Sequence, residues 1–181
     1  MVMDRYISML RGINVGGQKK ILMEELRKLF ESLGYENVRT YIQSGNVIFL
    51  APMDGEDFVR DRIQDAVRDR FGFEVAVTVR SLAEMKKVVE GIPFSQKAGD
   101  DLSKLHVVFL SEKTNKGIEQ EITRARSEGE EVVIKGREIY LYLPNGYGRS
   151  KLNNNFFERK LGVSATTRNW KTVNKLLDMA R

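Results

Sequence analysis

The 181-residue sequence predicts an α+β fold of two related ferredoxin-like units, in which antiparallel sheets carry helices packed on one face. Apolar residues in the first half follow strand and helix spacing in the order strand-helix-strand-strand-helix-strand. The second half repeats that order up to its second helix but has no obvious last strand. Between the halves, residues 91–101 hold a proline, two glycines and few apolar side chains, so we predict domains at residues 1–91 and 102–181.

Each element of the first half is predicted from its pattern of apolar side chains. The strands, which are rich in apolar and β-favouring residues, are predicted at residues 5–10, 38–42, 47–50 and 74–79. The helices, with apolar residues three or four positions apart, are predicted at residues 23–33, 56–70 and 81–90. Gly34 and Gly72 follow the first two helices as C-terminal stops, and Ser81 with Glu84 forms a capping box for the third.

The second half is predicted in the same way. Its strands are expected at residues 105–110, 131–135 and 138–143, and its helices at residues 115–127, 153–161 and 169–179. Gly136 and Arg137 form the turn of a hairpin between the last two of these strands.

Composition excludes several classes of protein. The chain has no cysteine, which excludes disulfides, thiolate zinc sites, iron–sulfur clusters and cysteine nucleophiles. A single histidine, His106, excludes a multi-histidine metal site, so we expect no metal and no cofactor. No apolar run approaches the ~18 residues of a membrane span, and the N-terminus lacks a signal-peptide pattern. We therefore expect a cytoplasmic protein with no membrane partner.

The positive charge is concentrated near the C-terminus. Residues 144–181 hold eight basic and two acidic side chains, a net charge of +6, whereas the whole chain carries +5. A concentrated excess of charge creates a local field that attracts anions, although a solvated helix surface would give the same count.

Two loops in the first half hold more glycine and polar side chains than a connection needs. In the first, Arg11 offers a planar guanidinium donor, and the segment that includes Asn14, Gly16 and Gly17 can bring backbone N–H groups close to an anion. The second loop, the predicted turn at residues 43–46, offers neutral hydrogen bonds. Its candidate residues are Gln43, Ser44 and Asn46. We expect the two loops at opposite ends of the first helix, so that they meet only if the first loop folds back.

The second half holds two further candidate segments. Arg149, Ser150 and Lys151 are expected at the entrance to a helix, where exposed N–H groups and the helix dipole favour an anion. A second segment offers a hydroxyl, a guanidinium and an amide before the last helix. These groups belong to Thr167, Arg168 and Asn169. The adjacent Trp170 either stacks on a nucleobase or anchors the last helix in the core.

No combination of nucleophile, base and orienting group is visible in the sequence, so catalytic residues cannot be assigned. His106 lies inside an apolar predicted strand, which favours packing over catalysis. Neighbouring carboxylates such as Glu24 and Glu25 do not face each other on a helix, so they are poor candidates for an acid–base pair.

Four stretches of sequence resemble a bacterial family defined only as a domain of unknown function, number sixteen-ninety-seven. They are YISMLRGINVGG (residues 6–17), VRTYIQSGNVIF (residues 38–49), GYGRSKL (residues 146–152) and ATTRNWKTVNKLL (residues 165–177). The resemblance implies a two-unit α+β fold with ferredoxin-like halves. It implies no activity, substrate, cofactor or catalytic residue.

The sequence is compatible with three functions. The sequence best fits binding of a phosphate-bearing partner, either a nucleic acid or a small molecule such as a nucleotide, in a basic cleft. The first alternative is an enzyme that acts on a phosphorylated small molecule held by Arg11, Arg149, Lys151 and Arg168. The second is a structural or protein-interaction domain in which these motifs fix the loops.

Overall fold

The computed structural model describes residues 2–94, 99, 101–114 and 116–181. It divides the chain into two compact units. Unit 1 comprises the chain up to Lys87 together with Leu176–Arg181, and unit 2 comprises Val88–Lys175. Residues 95–98 and 100 of the predicted linker, and the predicted start of a helix at residue 115, lie outside the described residues.

Unit 1 is a four-stranded antiparallel sheet with the strand order β2-β3-β1-β4. Its elements in chain order are β1 (Met3–Leu10), α1 (Met23–Ser32), β2 (Glu36–Tyr41), β3 (Asn46–Pro52), α2 (Glu56–Phe71), β4 (Val77–Ser81) and the start of α3 (Leu82–Glu90). This strand order is that of a ferredoxin-like unit. Strand β4 begins three residues later than predicted, and the carbonyls of Glu74 and Ala76 before it accept hydrogen bonds from the β1–α1 loop.

Unit 2 repeats this topology with the strand order β6-β7-β5-β8. Its elements are β5 (Leu105–Leu110), α4 (Glu119–Ala125), β6 (Glu131–Lys135), β7 (Glu138–Tyr142), α5 (Asn154–Leu161), β8 (Ala165–Asn169) and α6 (Trp170–Ala180), whose last turns belong to unit 1. The prediction of an α+β fold with two repeated units is confirmed. The prediction that the second half has no last strand was wrong, because β8 is present and pairs with β5 along its whole length.

Each unit buries its own core between the sheet and the helices. In unit 1 the ring of Phe49 stacks on Tyr35 at 4.8 Å and meets the edge of Phe30 at 5.1 Å. In unit 2 the rings of Phe156 and Phe157 pack edge to face at 5.2 Å. Trp170 is 7% exposed, so the second of its two predicted roles, that of a core anchor, is the one observed.

None of the helices in the described part of the chain combines the length and apolar character that a membrane span requires.

Candidate functional site

The β1–α1 loop and the β2–β3 hairpin lie at the same end of the sheet in unit 1. Met9 of β1 pairs with Asn46 of β3, and the backbone N–H of Leu10 donates to the carbonyl of Gly45 at 3.0 Å. The expectation that the two loops lie at opposite ends was wrong. Because both β1 and β2 are antiparallel to β3, they run in the same direction, and the chain turns into β3 at the end where β1 finishes.

Asn14 joins these two loops with its side chain. Its Oδ1 accepts from the N–H of Ile21 at 2.8 Å, and its Nδ2 donates to the carbonyls of Ile21 and Gln43, each at 2.9 Å. Its φ of 56° lies in the left-handed region, which asparagine tolerates better than most residues. The amide predicted to bind a ligand therefore forms three hydrogen bonds within the protein.

The hairpin is held in a similar way from inside the fold. The fully buried Asn46 donates through Nδ2 to the Tyr41 carbonyl at 3.0 Å and to Ser44 Oγ at 2.9 Å. Of the predicted hairpin residues, Gln43 alone exposes a side chain with no hydrogen bond within the described chain. Gly16 and Gly17 are exposed in the first loop with φ values of 57° and 75°, and the Arg11 side chain there is half-buried.

The third predicted segment does not open a helix directly. Arg149 ends a short 3-10 turn and is exposed, and the buried Ser150 accepts the N–H of Leu152 through Oγ at 3.1 Å. Helix α5 begins only at Asn154, with Asn153 as its cap through a 3.0 Å hydrogen bond from the N–H of Phe156. Helix α5 therefore begins one residue after its predicted start at residue 153, and residues 149–151 lie just before it rather than in its first turn.

The fourth predicted segment forms the end of strand β8, directly before α6. Thr167 Oγ1 donates to Asn154 Oδ1 at 2.6 Å, and Asn169 Oδ1 caps α6 by accepting the N–H of Thr172 at 2.8 Å. Arg168 is 9% exposed, and its Nη1 donates to the Thr167 carbonyl at 3.0 Å. Burial lowers the pKa of Arg168 to about 10. These groups contribute to the fold, and what they bind beyond it remains a prediction.

His106 is buried in β5 and stacks on the ring of Tyr147, with the ring centroids 5.3 Å apart. Burial disfavours the imidazolium and lowers the pKa of His106, so the ring is neutral at pH 7. This environment supports packing, the role that the sequence favoured.

A groove of about 610 Å³ lies between α4 and α5 on the surface of unit 2. Four basic side chains line it together with one carboxylate, that of Glu121. The basic residues are Arg124, Lys151, Arg159 and Lys160. We call this depression the α4–α5 groove. Its remaining lining residues are Ala125, Asn153, Asn155 and Phe156.

The four cations of the groove form no ion pair with any residue in the described part of the chain. Their neighbour Glu158 accepts the N–H of Ala165 through Oε1 at 3.0 Å. The cations are exposed or half-buried, so they remain hydrated and open to a ligand from solvent.

The family model described as Protein of unknown function (DUF1697) matches residues 3–140. The chain belongs to this family. The resemblance inferred from the four sequence motifs is therefore confirmed at the level of the family. The chain is also similar to a solved structure titled "The structure of conserved bacterial protein SP0830 from Streptococcus pneumoniae". The two share 26% identity with a TM-score of 0.76, over 99% of this chain and 100% of that one.

No curated protein matches the chain. Membership in DUF1697 and the similar solved structure therefore support the fold and the family without assigning a specific function.

Sequence reasoning found one member of the basic groove in this DUF1697 protein, Lys151. It missed Arg159 and Lys160, which were counted in the C-terminal charge but not placed in a site. Arg124 was not identified as a site residue because it lies in an acidic segment: residues 119–131 hold five acidic side chains and two basic ones. The one signal in the sequence was the absence of acidic residues three or four positions before Arg159 and Lys160.

Proposed function

We propose that unit 2 binds the phosphate groups of a nucleic acid or a nucleotide in the α4–α5 groove. The observation that carries the proposal is the set of four cations with no ion-pair partner in the described chain, gathered around a depression of about 610 Å³. A phosphate group would supply the ion-pair partner that the four cations lack within the described chain.

The chemistry of the lining suits phosphate. Arg124 and Arg159 present planar guanidinium forks that can form two parallel hydrogen bonds with a phosphate, and Lys151 and Lys160 present compact charges. Hydrogen bonds to charged groups contribute roughly 1.5–3 kcal/mol each, and less where solvent screens them. Four such contacts are enough for a salt-sensitive interaction of moderate affinity.

Binding fits the lining better than the alternative of an enzyme. Among the described residues that line the groove, Glu121 is the one carboxylate, and no histidine lies among them. His106, the one histidine of the chain, is buried and neutral. Acid–base catalysis on a phosphorylated substrate therefore lacks a set of positioned groups in this groove.

Fluorescence anisotropy of the full chain tests the proposal with three labelled probes. They are a single-stranded RNA of about 12 nucleotides, a DNA of the same length and a nucleoside triphosphate. With three to four phosphate contacts, the slope of log K against log salt is expected between about −2 and −3 for single strands. Tighter binding of either oligonucleotide than of the triphosphate assigns a nucleic acid, whereas equal affinity for the triphosphate assigns a nucleotide.

Four charge-removing variants locate the site. Lys151→Gln, Lys160→Gln, Arg124→Gln and Arg159→Gln should each weaken binding and reduce the magnitude of the slope by about 0.7. Lys171→Gln is the matched control, because Lys171 is exposed in the same basic segment but does not line the groove. Equal effects of all five substitutions would mean that diffuse charge, and not the groove, attracts the anion. Binding that ignores salt would overturn the proposal.

A further inference from the structure

Unit 1 exposes two sets of large apolar side chains beyond opposite ends of its sheet. Three of them, Val15, Leu22 and Ile42, are 64%, 72% and 49% exposed at the end where β1 finishes. The other three, Val2, Met53 and Phe58, are 70%, 61% and 55% exposed at the end where β1 begins. Met3 pairs with Pro52 and Met9 with Asn46, so the two sets lie roughly 20 Å apart along the strands.

The first set is assembled by Asn14, which hydrogen-bonds to Ile21 and Gln43. Each exposed apolar residue is the immediate chain neighbour of one of these three residues: Val15 follows Asn14, Leu22 follows Ile21, and Ile42 precedes Gln43. The three hydrogen bonds therefore hold together the loop segments that form the surface at this end of unit 1 and carry the three apolar side chains. We call this surface end A, formed by residues 11–22 and 42–45.

Ile42 at end A has a φ of 52°, in the left-handed region that a β-branched residue rarely adopts. Glycine or asparagine would fit this turn position with less strain. An apolar side chain is therefore held in solvent by an unfavourable backbone conformation, a combination typical of binding surfaces.

The second set is assembled at the other end of β1. The N–H of Met53 donates to the Val2 carbonyl at 3.1 Å, and Phe58 lies in the first turn of α2. We call this surface end B, formed by Val2 and residues 53–58.

The two ends carry opposite charge. Residues 11–20 contain three basic side chains and no acidic one, whereas residues 51–57 contain three acidic side chains and no basic one. Of these acidic residues, Asp57 is already paired with Arg60 of α2 at 2.8 Å. Lys20 at end A and Asp54 at end B are exposed and form no ion pair with a described residue. The nearby acidic residues of α1, Glu24 and Glu25, are already paired. Their partners are Arg27, Lys28 and Arg70.

We propose that this chain associates head to tail, with end A of one copy seated on end B of a second copy. Each interface would cover three apolar side chains from each copy and would bring Lys20 toward Asp54. Contiguous exposed apolar residues with a polar rim mark interaction surfaces, and opposite charges select the partner and its orientation.

This arrangement has a distinct signature in solution. A head-to-tail contact leaves one free end A and one free end B on every dimer, so association continues beyond two copies or closes into a ring. The average mass should therefore rise with protein concentration. It should fall between about 50 mM and about 500 mM salt, because salt screens the charged rims.

Sedimentation velocity of the full chain tests the proposal by exchanging charges between the ends. Lys20→Glu and Asp54→Lys should each weaken self-association about tenfold, because each places like charges across the interface. The double variant should recover most of the loss. Lys175→Glu, at an exposed lysine outside both ends, is the matched control and should have no effect.

A second variant separates association from folding. Ile42→Asn removes the apolar side chain and places a residue that tolerates left-handed φ, so the fold should remain at least as stable while self-association weakens about tenfold. Leu102→Asn, at an exposed leucine of unit 2, is its control.

Three outcomes would overturn the proposal. The first is a wild-type chain that remains monomeric at every concentration. The second is a dimer that loses stability with Ile42→Asn but not with Asp54→Lys, because this would indicate contact between two copies of end A. The third is a double charge exchange that fails to restore association. None of these outcomes bears on the phosphate proposal, which concerns unit 2.

Discussion

The two units share a strand order and several buried polar side chains, but they differ in the residues at other matching positions and in the charge on their helix surfaces. Tyr6 of β1 pairs with Ser81 of β4, and His106 of β5 pairs with Asn169 of β8, so each pair occupies the same place in its sheet. The last strand of each unit and the helix that follows it are therefore a structural repeat: β4 and α3 in unit 1, β8 and α6 in unit 2. Comparing the two copies shows which side chains the fold requires and which are specific to one unit.

Arg168 is an example of a side chain that occurs at the same position in both units. Its counterpart in unit 1 is Arg80, which is 1% exposed and donates Nη1 to the carbonyl of the residue before it at 2.9 Å. Arg168 makes the same bond at 3.0 Å. Thr78 and Thr166, two residues before each arginine, are both buried. A feature present in both units belongs to the repeated architecture, which makes Arg168 a weaker ligand candidate than its charge suggests.

The basic residues on the helix surfaces differ between the units, and the sequence explains why. In α2, Arg60 pairs with Asp57 at 2.8 Å and Arg68 pairs with Asp65 at 2.9 Å, each with an acidic residue three positions earlier. In α5 the positions three and four before Arg159 and Lys160 hold asparagine and phenylalanine. One helix surface is therefore neutralised internally, and the other is left to attract an external anion.

The largest expected loss of stability comes from replacing a glycine in the β2–β3 hairpin, compared with the same change in the β6–β7 hairpin. A Cβ on Gly45 would lie 2.7 Å from Ile13 Cδ1 and 2.9 Å from Leu10 Cβ, at a φ of 81°. Gly136, in the corresponding hairpin of unit 2, has a φ of 62° but open space except for Lys113 Cε at 3.9 Å. Gly45→Ala should lower the free energy of unfolding by about 2–4 kcal/mol, through both overpacking and strain.

Urea denaturation followed by circular dichroism measures this difference. Gly136→Ala is the matched control and should lower the free energy of unfolding by about 1–2 kcal/mol, because it adds strain without a clash. Equal losses in the two variants would mean that the loop packing at Gly45 contributes nothing beyond the turn conformation.

Apolar spacing predicted most of the fold, because it reports which face of each element is buried. It missed β8, in which the polar residues Thr166 and Arg168 are both buried. A pattern based on apolar residues does not recognise a strand whose polar side chains become buried. The site was less predictable still, because the proximity of Arg124 to Lys151 depends on how α4 and α5 pack together.

A smaller loss of stability is expected from removing the side-chain caps of the helices that follow β8 and β4. Asn169 Oδ1 accepts the N–H of Thr172 at 2.8 Å, whereas Ser81 Oγ accepts the N–H of Glu84 at a longer 3.3 Å. Asn169→Ala should lower the free energy of unfolding by about 1 kcal/mol, and Ser81→Ala should lower it by about half as much. Thermal and urea denaturation of both variants measure the two losses. A larger loss for Ser81→Ala would contradict the ranking by hydrogen-bond length.

The smallest expected effect is a decrease in the free energy of unfolding at acidic pH. It arises because matching positions of the two sheets hold Tyr6 in unit 1 and His106 in unit 2. Burial lowers the pKa of His106 from its ordinary 6.5, so the unfolded chain binds a proton more readily than the folded one. The free energy of unfolding should therefore be unaffected above pH 6.5 and should fall as the pH drops below that value toward the lowered pKa. Burial raises the pKa of Tyr6 above 10, so unit 1 has no counterpart to this titration.

Fluorescence of Trp170, the one tryptophan, follows the unfolding of unit 2 in urea between about pH 7.5 and about pH 5. His106→Gln should flatten the pH dependence in this window, because it replaces the one histidine of the chain with a side chain that does not titrate. Tyr6→Phe, the control in unit 1, should leave the profile unchanged. If the pH dependence of the unfolding free energy persisted in His106→Gln, the loss of stability would be due to carboxylates that titrate between about pH 7.5 and about pH 5. The proton uptake would then come from groups other than His106.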